Sequence, residues 1–249
     1  MCKIAIYLRD KLVSHYNLKR KATRTQKSKP PKKNRMSNCK MENVWGAPET
    51  ELLDAMRRTQ DLSVLGPLSL KIKWPNAFQF WKNADFTLLF HASIINNSAA
   101  VQLLLKAGAD PTLTNIKGTN AFMLFAKRGQ IQMAEACLAQ VPKDKRGATV
   151  NAATVSGWTA LMTAAENNQL EFAKWLIANG ADVNGQMLGS LWTAGHAAAK
   201  RGNLEILELL LQNGVNQASL ACHREFGRNL TFADVTTDER VLNLLKKYP

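Results

Sequence analysis

The sequence predicts an all-α fold, a solenoid in which pairs of short helices stack side by side. The clearest pair lies in residues 157–184, where two apolar segments with the spacing of amphipathic helices are separated by Asn168. Similar segments recur about every 33 residues before and after it. Two short helices and a turn cannot bury their apolar faces alone. A fixed period of this length is therefore typical of stacked helical repeats.

Each part of the 157–184 segment carries its own signal. Thr159 stands where a side-chain hydroxyl can accept from a backbone N–H in the first turn of a helix. Ala164 and Ala165 leave room for a neighbouring helix to lie close. Asn168 suits the left-handed position that follows a helix C-terminus, and Gly180 ends the second helix.

Copies of this segment lie on both sides of it. Thr193 begins a copy 34 residues after Thr159, and Asn120 begins another 33 residues after Thr87. The copies agree at Thr, Leu, Ala-Ala, a mid-repeat Gly, a Leu-Leu run and Gly-Ala-Asp. This pattern resembles the ankyrin repeat, whose period is about 33 residues and whose signature is T-P-L-H-x-A. The resemblance covers roughly residues 49–249 and implies about five helix-turn-helix repeats, including degenerate caps. The expected units are a degenerate N-terminal repeat at 49–83, repeats starting near 85, 118, 157 and 191, and a C-terminal cap at 224–249.

Two segments depart from the period. Asn120 and Thr159 are 39 residues apart, and the surplus predicts a basic turn at residues 141–147 that projects from the outer edge. After Gly66 and Pro67, an aromatic segment either covers the end of the stack or presents a patch to a partner. Its aromatic residues are Trp74, Phe78, Phe80 and Trp81.

The net charge of +14 is concentrated in the first part of the chain. Residues 1–43 hold 13 Lys and Arg against 2 acidic residues, a net charge of +11, whereas the remaining residues carry +3. The composition between Lys19 and Arg35 cannot bury enough apolar surface to fold. We therefore expect residues 1–43 to be a disordered basic tail and residues 44–249 to be the repeat domain.

Two clusters of the tail resemble a bipartite nuclear import signal, which an acidic import receptor would read by charge. Three other interpretations remain open: a solvated tail without a receptor, a tail that binds the phosphates of RNA, DNA or acidic lipid, and a mitochondrial presequence. The start of translation also stays open among Met1, Met36 and Met41. The clusters contain Lys19, Arg20, Lys21, Lys32, Lys33 and Arg35.

The sequence indicates no catalytic, metal or cofactor site, and we expect the protein not to be an enzyme. No apolar run is long enough for a transmembrane helix. The four cysteines lie far apart and form no zinc-like pair, which suits a reducing cytoplasm or nucleus, and Cys137 is expected in the core. His196 holds the fourth place of the signature, where the ankyrin resemblance implies that the imidazole ties neighbouring turns together. His91 lies one place later, and we expect it at the surface or between repeats.

The resemblance also implies where a partner binds. In ankyrin repeats the partner usually contacts the residue before the signature Thr and the two residues after the Ala-Ala of the first helix. Carried onto this sequence, these positions predict an aromatic ledge beside a groove with basic and apolar patches. Alternatively, Trp158 and Trp192 pack on each other and only stabilise the stack. The first set is Phe86, Thr119, Trp158 and Trp192; the second is Ile94, Ile95, Lys127, Arg128, Glu166, Asn167, Lys200 and Arg201.

The favoured function is that of a non-catalytic adaptor in the cytoplasm, the nucleus or both, with an unidentified protein or peptide on the concave ankyrin surface. The alternative is a nuclear or nucleic-acid-associated regulator that uses its tail for phosphate and its repeats for recruitment. One further hypothesis concerns Asn184. Together with Leu176, Asp182 and Val183, it resembles the pattern that an asparaginyl hydroxylase modifies in many ankyrin proteins, although Asn is also common at this turn.

Overall fold

The structure is a computed structural model that describes residues 47–71, 76, 79–81, 84–218, 221–222 and 229–248. The predicted basic tail with its two clusters lies outside the described residues, as do Trp74 and Phe78. Side chains are not described for the short strands before residue 87. The elements are α1 (Ala47–Arg58), α2 (Leu62–Ser69), β1 (Gln79–Trp81), β2 (Ala84–Phe86), α3 (Leu88–Ile94), α4 (Ser98–Lys106), α5 (Ala121–Arg128), α6 (Ile131–Ala139), α7 (Lys143–Val150), α8 (Ala160–Glu166), α9 (Leu170–Ala178), α10 (Ala194–Arg201), α11 (Leu204–Gln212), β3 (Ala221–Cys222), β4 (Asn229–Leu230) and α12 (Glu239–Leu245).

The helices of the repeats form two layers. The first-helix layer contains α1, α3, α5, α8 and α10, each of which packs on the next, and the second-helix layer contains α2, α4, α6, α9 and α11. The strands form two short antiparallel pairs, β1 with β2 and β3 with β4. The predicted all-α repeat fold is confirmed. The longest helix in the described ranges has 12 residues, and none of the helices in these ranges is long and apolar enough to cross a membrane.

The core lies between the two layers. Large apolar side chains from both layers are fully buried there, and each contributes about 1.5–3 kcal/mol when removed from water. Small side chains let the first helices lie close together, because a methyl group adds little width to a helix. The large core residues include Leu104, Phe122, Phe172 and Leu176, and the small ones include Ala164, Ala165, Ala198 and Ala199.

The first helices begin and end as the sequence predicts. The side chains of Thr87, Asn120, Thr159 and Thr193 accept from the backbone N–H three residues later, at 3.2, 3.1, 3.3 and 3.4 Å. These bonds satisfy donors that the first turn of a helix leaves without partners. Asn168 follows the end of α8 with φ 55°, the left-handed conformation that Asn tolerates better than most residues.

Asparagine side chains join one repeat to the next on the side where the second helices end. Asn76, Asn151 and Asn184 each make the same pair of hydrogen bonds to the following repeat. Their amide groups donate to the carbonyls of Gly108 (3.2 Å), Gly180 (2.8 Å) and Gly214 (3.1 Å), and their side-chain carbonyls accept from the N–H of Asp110 (2.6 Å), Asp182 (2.7 Å) and Asn216 (2.8 Å).

The prediction of a basic turn at residues 141–147 is wrong, because the chain forms the additional helix α7 there. Val141 and Val150 are each 2% exposed, so both ends of the segment are anchored in the core. Thr149 donates its hydroxyl to the Lys145 carbonyl at 2.9 Å. The Lys and Asp residues of α7 stay exposed, and their polarity suggested a loop.

Both terminal units also differ in detail from their expected form. Helix α2 continues through Gly66 and Pro67 to Ser69. In the C-terminal unit, the segment that resembles a first helix forms turns at residues 232–235, because the N–H and hydroxyl of Thr231 both donate to the Asp234 carboxylate, at 2.7 and 2.6 Å. The described part of this unit therefore contributes one helix, α12, which packs against α11.

Candidate interaction surface

A cleft lies between the repeats that contain α8 and α10. Its cavity volume is ≈ 250 Å³. We call it the Trp158–Trp192 cleft. Five of its six lining residues belong to the set predicted from the sequence, and Ala197 is the sixth. The lining residues are Trp158, Glu166, Trp192, Ala197, Lys200 and Arg201.

Trp158 is held in place by its own repeat. Its indole Nε1–H donates to the Thr163 hydroxyl at 2.8 Å, and its backbone N–H donates to the Thr154 hydroxyl at 3.0 Å. The side chain is half-buried. Since the polar edge of the indole is already hydrogen-bonded, the ring offers the cleft an apolar surface with a fixed orientation.

Trp192 contacts two side chains of α10. Its ring lies 5.2 Å from the ring of His196, and the Lys200 ammonium lies 5.6 Å from the indole centroid, within cation–π range. Each indole is thus fixed within its own repeat: Trp158 bonds to Thr163, and Trp192 packs on His196.

His196 supports Trp192 from the interior and has the tie predicted for it. The side chain is fully buried. Its Nδ1 lies 2.8 Å from the Thr193 hydroxyl, and its Nε2 lies 3.1 Å from the Leu230 carbonyl of the next unit. Phe232 meets the imidazole edge-on, with ring centroids 4.6 Å apart.

The C-terminal ends of neighbouring first helices are joined by arginines. Arg201 donates to the Glu166 carboxylate at 2.6 Å, and Arg128 donates to the Ser93 carbonyl at 3.0 Å. The Arg201–Glu166 pair is exposed, so it contributes at most about 1 kcal/mol to stability. Its main electrostatic effect is to neutralise the carboxylate that lies among the basic residues of this surface.

The other predicted residues do not line the cleft. Ile94 and Ile95 are half-buried at the end of α3, and Ile95 packs against the core. Thr119 is half-buried in a hairpin, and Asn167 donates to the Thr163 carbonyl at 2.8 Å. The side chain of Phe86 lies outside the described residues.

Comparison with known families agrees with the architecture. A family model described as ankyrin repeats in three copies matches residues 88–187, and an ankyrin repeat model matches residues 191–222. The chain belongs to the ankyrin repeat family. The matched residues include every residue that lines the Trp158–Trp192 cleft.

Two curated relatives share part of this ankyrin region. NF-kappa-B inhibitor alpha of Rattus norvegicus is 28% identical over 129 residues, which are 52% of this chain and 40% of the relative. The protein of the same name from Mus musculus is 29% identical over 117 residues, 47% of this chain and 37% of the relative. The chain thus spans about two fifths of the length of these relatives.

The tips of the ankyrin hairpins carry a row of exposed apolar residues that the sequence analysis missed. Ile116, Val155 and Leu188 are 42%, 60% and 72% exposed. Backbone hydrogen bonds connect the tips, from Val155 N–H to the Lys117 carbonyl (2.9 Å) and from Leu188 N–H to the Ser156 carbonyl (2.8 Å). Superposing the repeats would have revealed the first two, since each stands three residues before a predicted contact residue, Thr119 or Trp158.

Leu191 extends this apolar row next to Trp192. It is 43% exposed and has φ 55°, a left-handed conformation that is uncommon for residues other than glycine. The conformation accommodates the extra residue that the 34-residue spacing places in this hairpin. Backbone strain of this kind costs about 1 kcal/mol or more and is often found at functional sites.

Asn184 does not line the cleft and lies in the turn that follows α9. Its side chain is exposed and makes the two inter-repeat hydrogen bonds described above. Its backbone N–H donates to the Asp182 carboxylate at 2.9 Å. The structure therefore gives Asn184 a role in joining ankyrin repeats, independently of any modification.

His91 and Cys137 belong to the interior. His91 is 6% exposed, which corrects the surface alternative, and burial lowers its pKa to about 4, with a further contribution from the positive charge of Arg57. Cys137 is buried as predicted, and burial raises the pKa of its thiol to about 12. Within the described ranges, no group of three or more His, Cys, Asp or Glu residues could hold a metal ion.

Proposed function

We propose that this ankyrin repeat protein is a non-catalytic adaptor that holds a protein or peptide at the Trp158–Trp192 cleft and the adjoining ends of the first helices. The observation that carries the proposal is the convergence of five predicted contact residues, from two repeats, on one cleft. Tryptophan and arginine are enriched at the energetic centres of protein interfaces. Both indoles are already oriented, so binding would lose little side-chain entropy.

The size of the cleft favours a macromolecular partner. Its volume of ≈ 250 Å³ lies below the range of about 300–1,000 Å³ that is typical of small-molecule and cofactor sites. A cavity of this size accommodates one large side chain of a partner. The exposed apolar hairpin tips supply additional contact area beside it.

The relatives add modest support. Their name describes them as inhibitors of NF-kappa-B, so they act on another protein. This chain spans about two fifths of their length, and the partner proposed here is defined by the chemistry of the cleft rather than by their name.

We also propose that residues 1–43 form a tail separate from the repeat domain 44–249. Its charge of +11 suits an import receptor, which would place the protein in the nucleus as well as the cytoplasm. The same charge favours the second candidate function, a nuclear or nucleic-acid-associated regulator. Deleting residues 1–43 separates the two: an adaptor keeps its partner affinity at high salt, whereas the regulator loses salt-sensitive binding to polyanions.

Hydroxylation of Asn184 stays a separate proposal. The side chain is exposed, which an enzyme needs, but both of its polar groups bond to the next repeat. Modification would therefore require local opening of this turn. Mass spectrometry of the peptide that contains Asn184, from protein expressed in its native cells, would detect the added oxygen; its consistent absence would contradict the proposal.

The adaptor proposal is tested by affinity capture with matched variants. Trp192→Ala with Lys200→Ala removes the ring and the cation above it. The control, Glu171→Ala with Lys174→Ala, removes an exposed ion pair from α9 in the second-helix layer. We expect a partner to be lost with the cleft variant and retained with the control, while the far-UV circular dichroism of both stays unchanged. If every captured protein survives the cleft change, the proposal is wrong.

A further inference from the structure

Charge is distributed unequally between the two helix layers. In the four repeats that follow the N-terminal one, the first helices α3, α5, α8 and α10 carry a net charge of +3. The second helices α4, α6, α9 and α11 of the same repeats carry −2. The acidic residues of the second helices are all exposed: Glu135, Glu171, Glu205 and Glu208. In these four repeats the first helices are therefore basic and the second helices acidic.

The positive charge of the first helices is concentrated at their C-terminal ends. Lys127 and Arg128 end α5, and Lys200 and Arg201 end α10; all four are exposed. Glu166 lies between these pairs, at the end of α8, and Arg201 neutralises it. A basic row thus follows the C-terminal ends of the first helices, with Lys200 and Arg201 in the cleft and the carboxylate of Glu166 already paired.

A row of exposed apolar residues lies on the same repeats, and the two indoles of the cleft connect it to the cations of α10. It consists of the hairpin-tip residues Ile116, Val155, Leu188 and Leu191, together with the half-buried indole surfaces of the cleft. Because backbone hydrogen bonds connect successive tips, this row has a fixed spacing. The surface thus offers apolar contacts from the hairpin tips and the indoles, and cations from the basic row.

We propose that the partner segment is acidic and amphipathic. Its carboxylates would face the Lys–Arg pairs, and its apolar side chains would lie on the hairpin tips, with one of them in the cleft. This inference rests on the proposed function and adds the chemistry of the partner to it. The cations of α5 and α10 are two repeats apart, about 20 Å at the usual spacing of packed helices, a distance that about six extended residues span.

The observations favour a peptide over a nucleic acid. A phosphate backbone would gain attraction from four cations but nothing from the apolar tips, and most of its length would lie on neutral surface. An acidic amphipathic peptide satisfies both rows. Complementary charge also increases the rate of encounter and suppresses partners of the wrong sign.

The test uses fluorescence anisotropy with the full chain and a labelled peptide of about ten residues, in which Leu and one Phe recur among Glu residues. A second peptide carries Lys in place of each Glu, and a labelled single-stranded RNA serves as the third probe. We expect the acidic peptide to bind more tightly than the Lys peptide, and any RNA binding to be insensitive to the charge reversal Lys127→Glu with Lys200→Glu. Comparable or tighter binding of the Lys peptide, RNA binding that this charge reversal weakens as strongly as it weakens binding of the acidic peptide, or no binding of the acidic peptide would overturn the inference.

Charge-reversal variants then locate the site. Lys127→Glu with Lys200→Glu reverses two exposed cations of the basic row. Lys106→Glu with Lys174→Glu makes the same change in net charge on the second-helix layer. We expect the first variant to weaken binding of the acidic peptide about ten-fold or more and the control to change it less than about two-fold. Equal effects of the two variants on binding of the acidic peptide would contradict the proposal.

An apolar variant checks the second row. Val155→Ser with Leu188→Ser leaves the charges intact. We expect this variant to bind the acidic peptide more weakly at both low and high salt, because salt does not screen apolar contacts. No effect would contradict the amphipathic part of the inference. If affinity capture depends on Trp192 while the acidic peptide fails to bind, the adaptor proposal stands and only the assigned partner chemistry falls.

Discussion

The indole of Trp192 is fixed by side chains that are one and two turns further along the chain. His196 lies against its ring and Lys200 lies over it. These two residues are four positions apart on α10, and Trp192 precedes that helix. His196 is held in turn by Thr193 and by the Leu230 carbonyl. A partner would therefore meet a ring that is already ordered, because the buried imidazole of His196 packs against it.

The buried His91 gives a prediction for pH. Its pKa is about 4 in the folded protein and about 6.5 when the chain is unfolded. The unfolded state therefore binds more protons between these values, and the free energy of unfolding should fall as the pH decreases from about 6.5 to about 4. Above about 6.5 the contribution of His91 is fully present.

Urea unfolding over a pH series checks this expectation. His91→Gln removes the titrating group, so its free energy of unfolding should decline less steeply than that of the wild type between about pH 6.5 and pH 4. The comparison uses the slopes, because the substitution also changes stability at neutral pH. Parallel curves for the two proteins would show that His91 does not make this contribution.

Sequence reasoning at this scale succeeded where a residue's role follows from its place in the repeat motif. The caps at Thr159 and Thr193 and the tie made by His196 follow from positions in the motif. For His91, which lies one place away from the motif position, it left a surface position and a position between repeats open. Only packing against neighbouring helices decides whether such a side chain is exposed, and here it is 6% exposed.

Helix α10 lies unusually close to the C-terminal unit. A Cβ atom on Gly195 would stand 2.3 Å from the Phe232 ring, which is itself 1% exposed and packed on His196. In contrast, a Cβ on Gly147 of α7 would meet nothing within 4 Å. Replacing glycine with alanine should therefore have opposite effects on the stability of the protein at these two positions.

We predict that Gly147→Ala stabilises the protein and Gly195→Ala destabilises it. Alanine is about 1 kcal/mol better than glycine inside a helix, and this gain should be realised in α7. In α10, overpacking costs about 1–3 kcal/mol and should exceed the gain. Thermal and urea unfolding of the two variants show whether each substitution raises or lowers the free energy of unfolding. A stabilised Gly195→Ala variant would mean that Phe232 can move aside.

The helix α7 shows what an element needs besides local pattern. Lysine, aspartate, arginine and glycine in one short segment predicted a projecting turn. Burial of Val141 and Val150 and a hydrogen bond within the segment made it helical instead. Helices of this length are marginal alone, and most of their stability comes from packing, which a local pattern does not contain.

The whole repeat domain behaves as a row of neighbours, since each unit packs on the next one along the chain. The end of the row is covered by α12, whose Val241 is fully buried against the preceding unit. A defect there should therefore loosen the nearest repeats and leave distant ones unaffected.

We predict that Val241→Asp undocks α12, because a carboxylate without a partner in an apolar contact costs several kcal/mol. Amide hydrogen exchange should become faster in α11 and α10 and stay unchanged in α3 and α5. The control is Asn243→Asp, which places the same charge on the exposed side of α12. Uniform acceleration along the chain would show a single cooperative unit and contradict the row of neighbours.

The sequence by itself determined the period, the paired helices and their caps, and it predicted five of the six residues that line the Trp158–Trp192 cleft. These features repeat with the motif, and each depends on contacts within one repeat or with its neighbour. The tertiary structure decided which atoms hold each tryptophan, that residues 141–150 include a helix, and that the apolar residues at the hairpin tips stay exposed. Those outcomes depend on burial against residues far away in sequence, and burial is a property of the packed stack rather than of any local pattern.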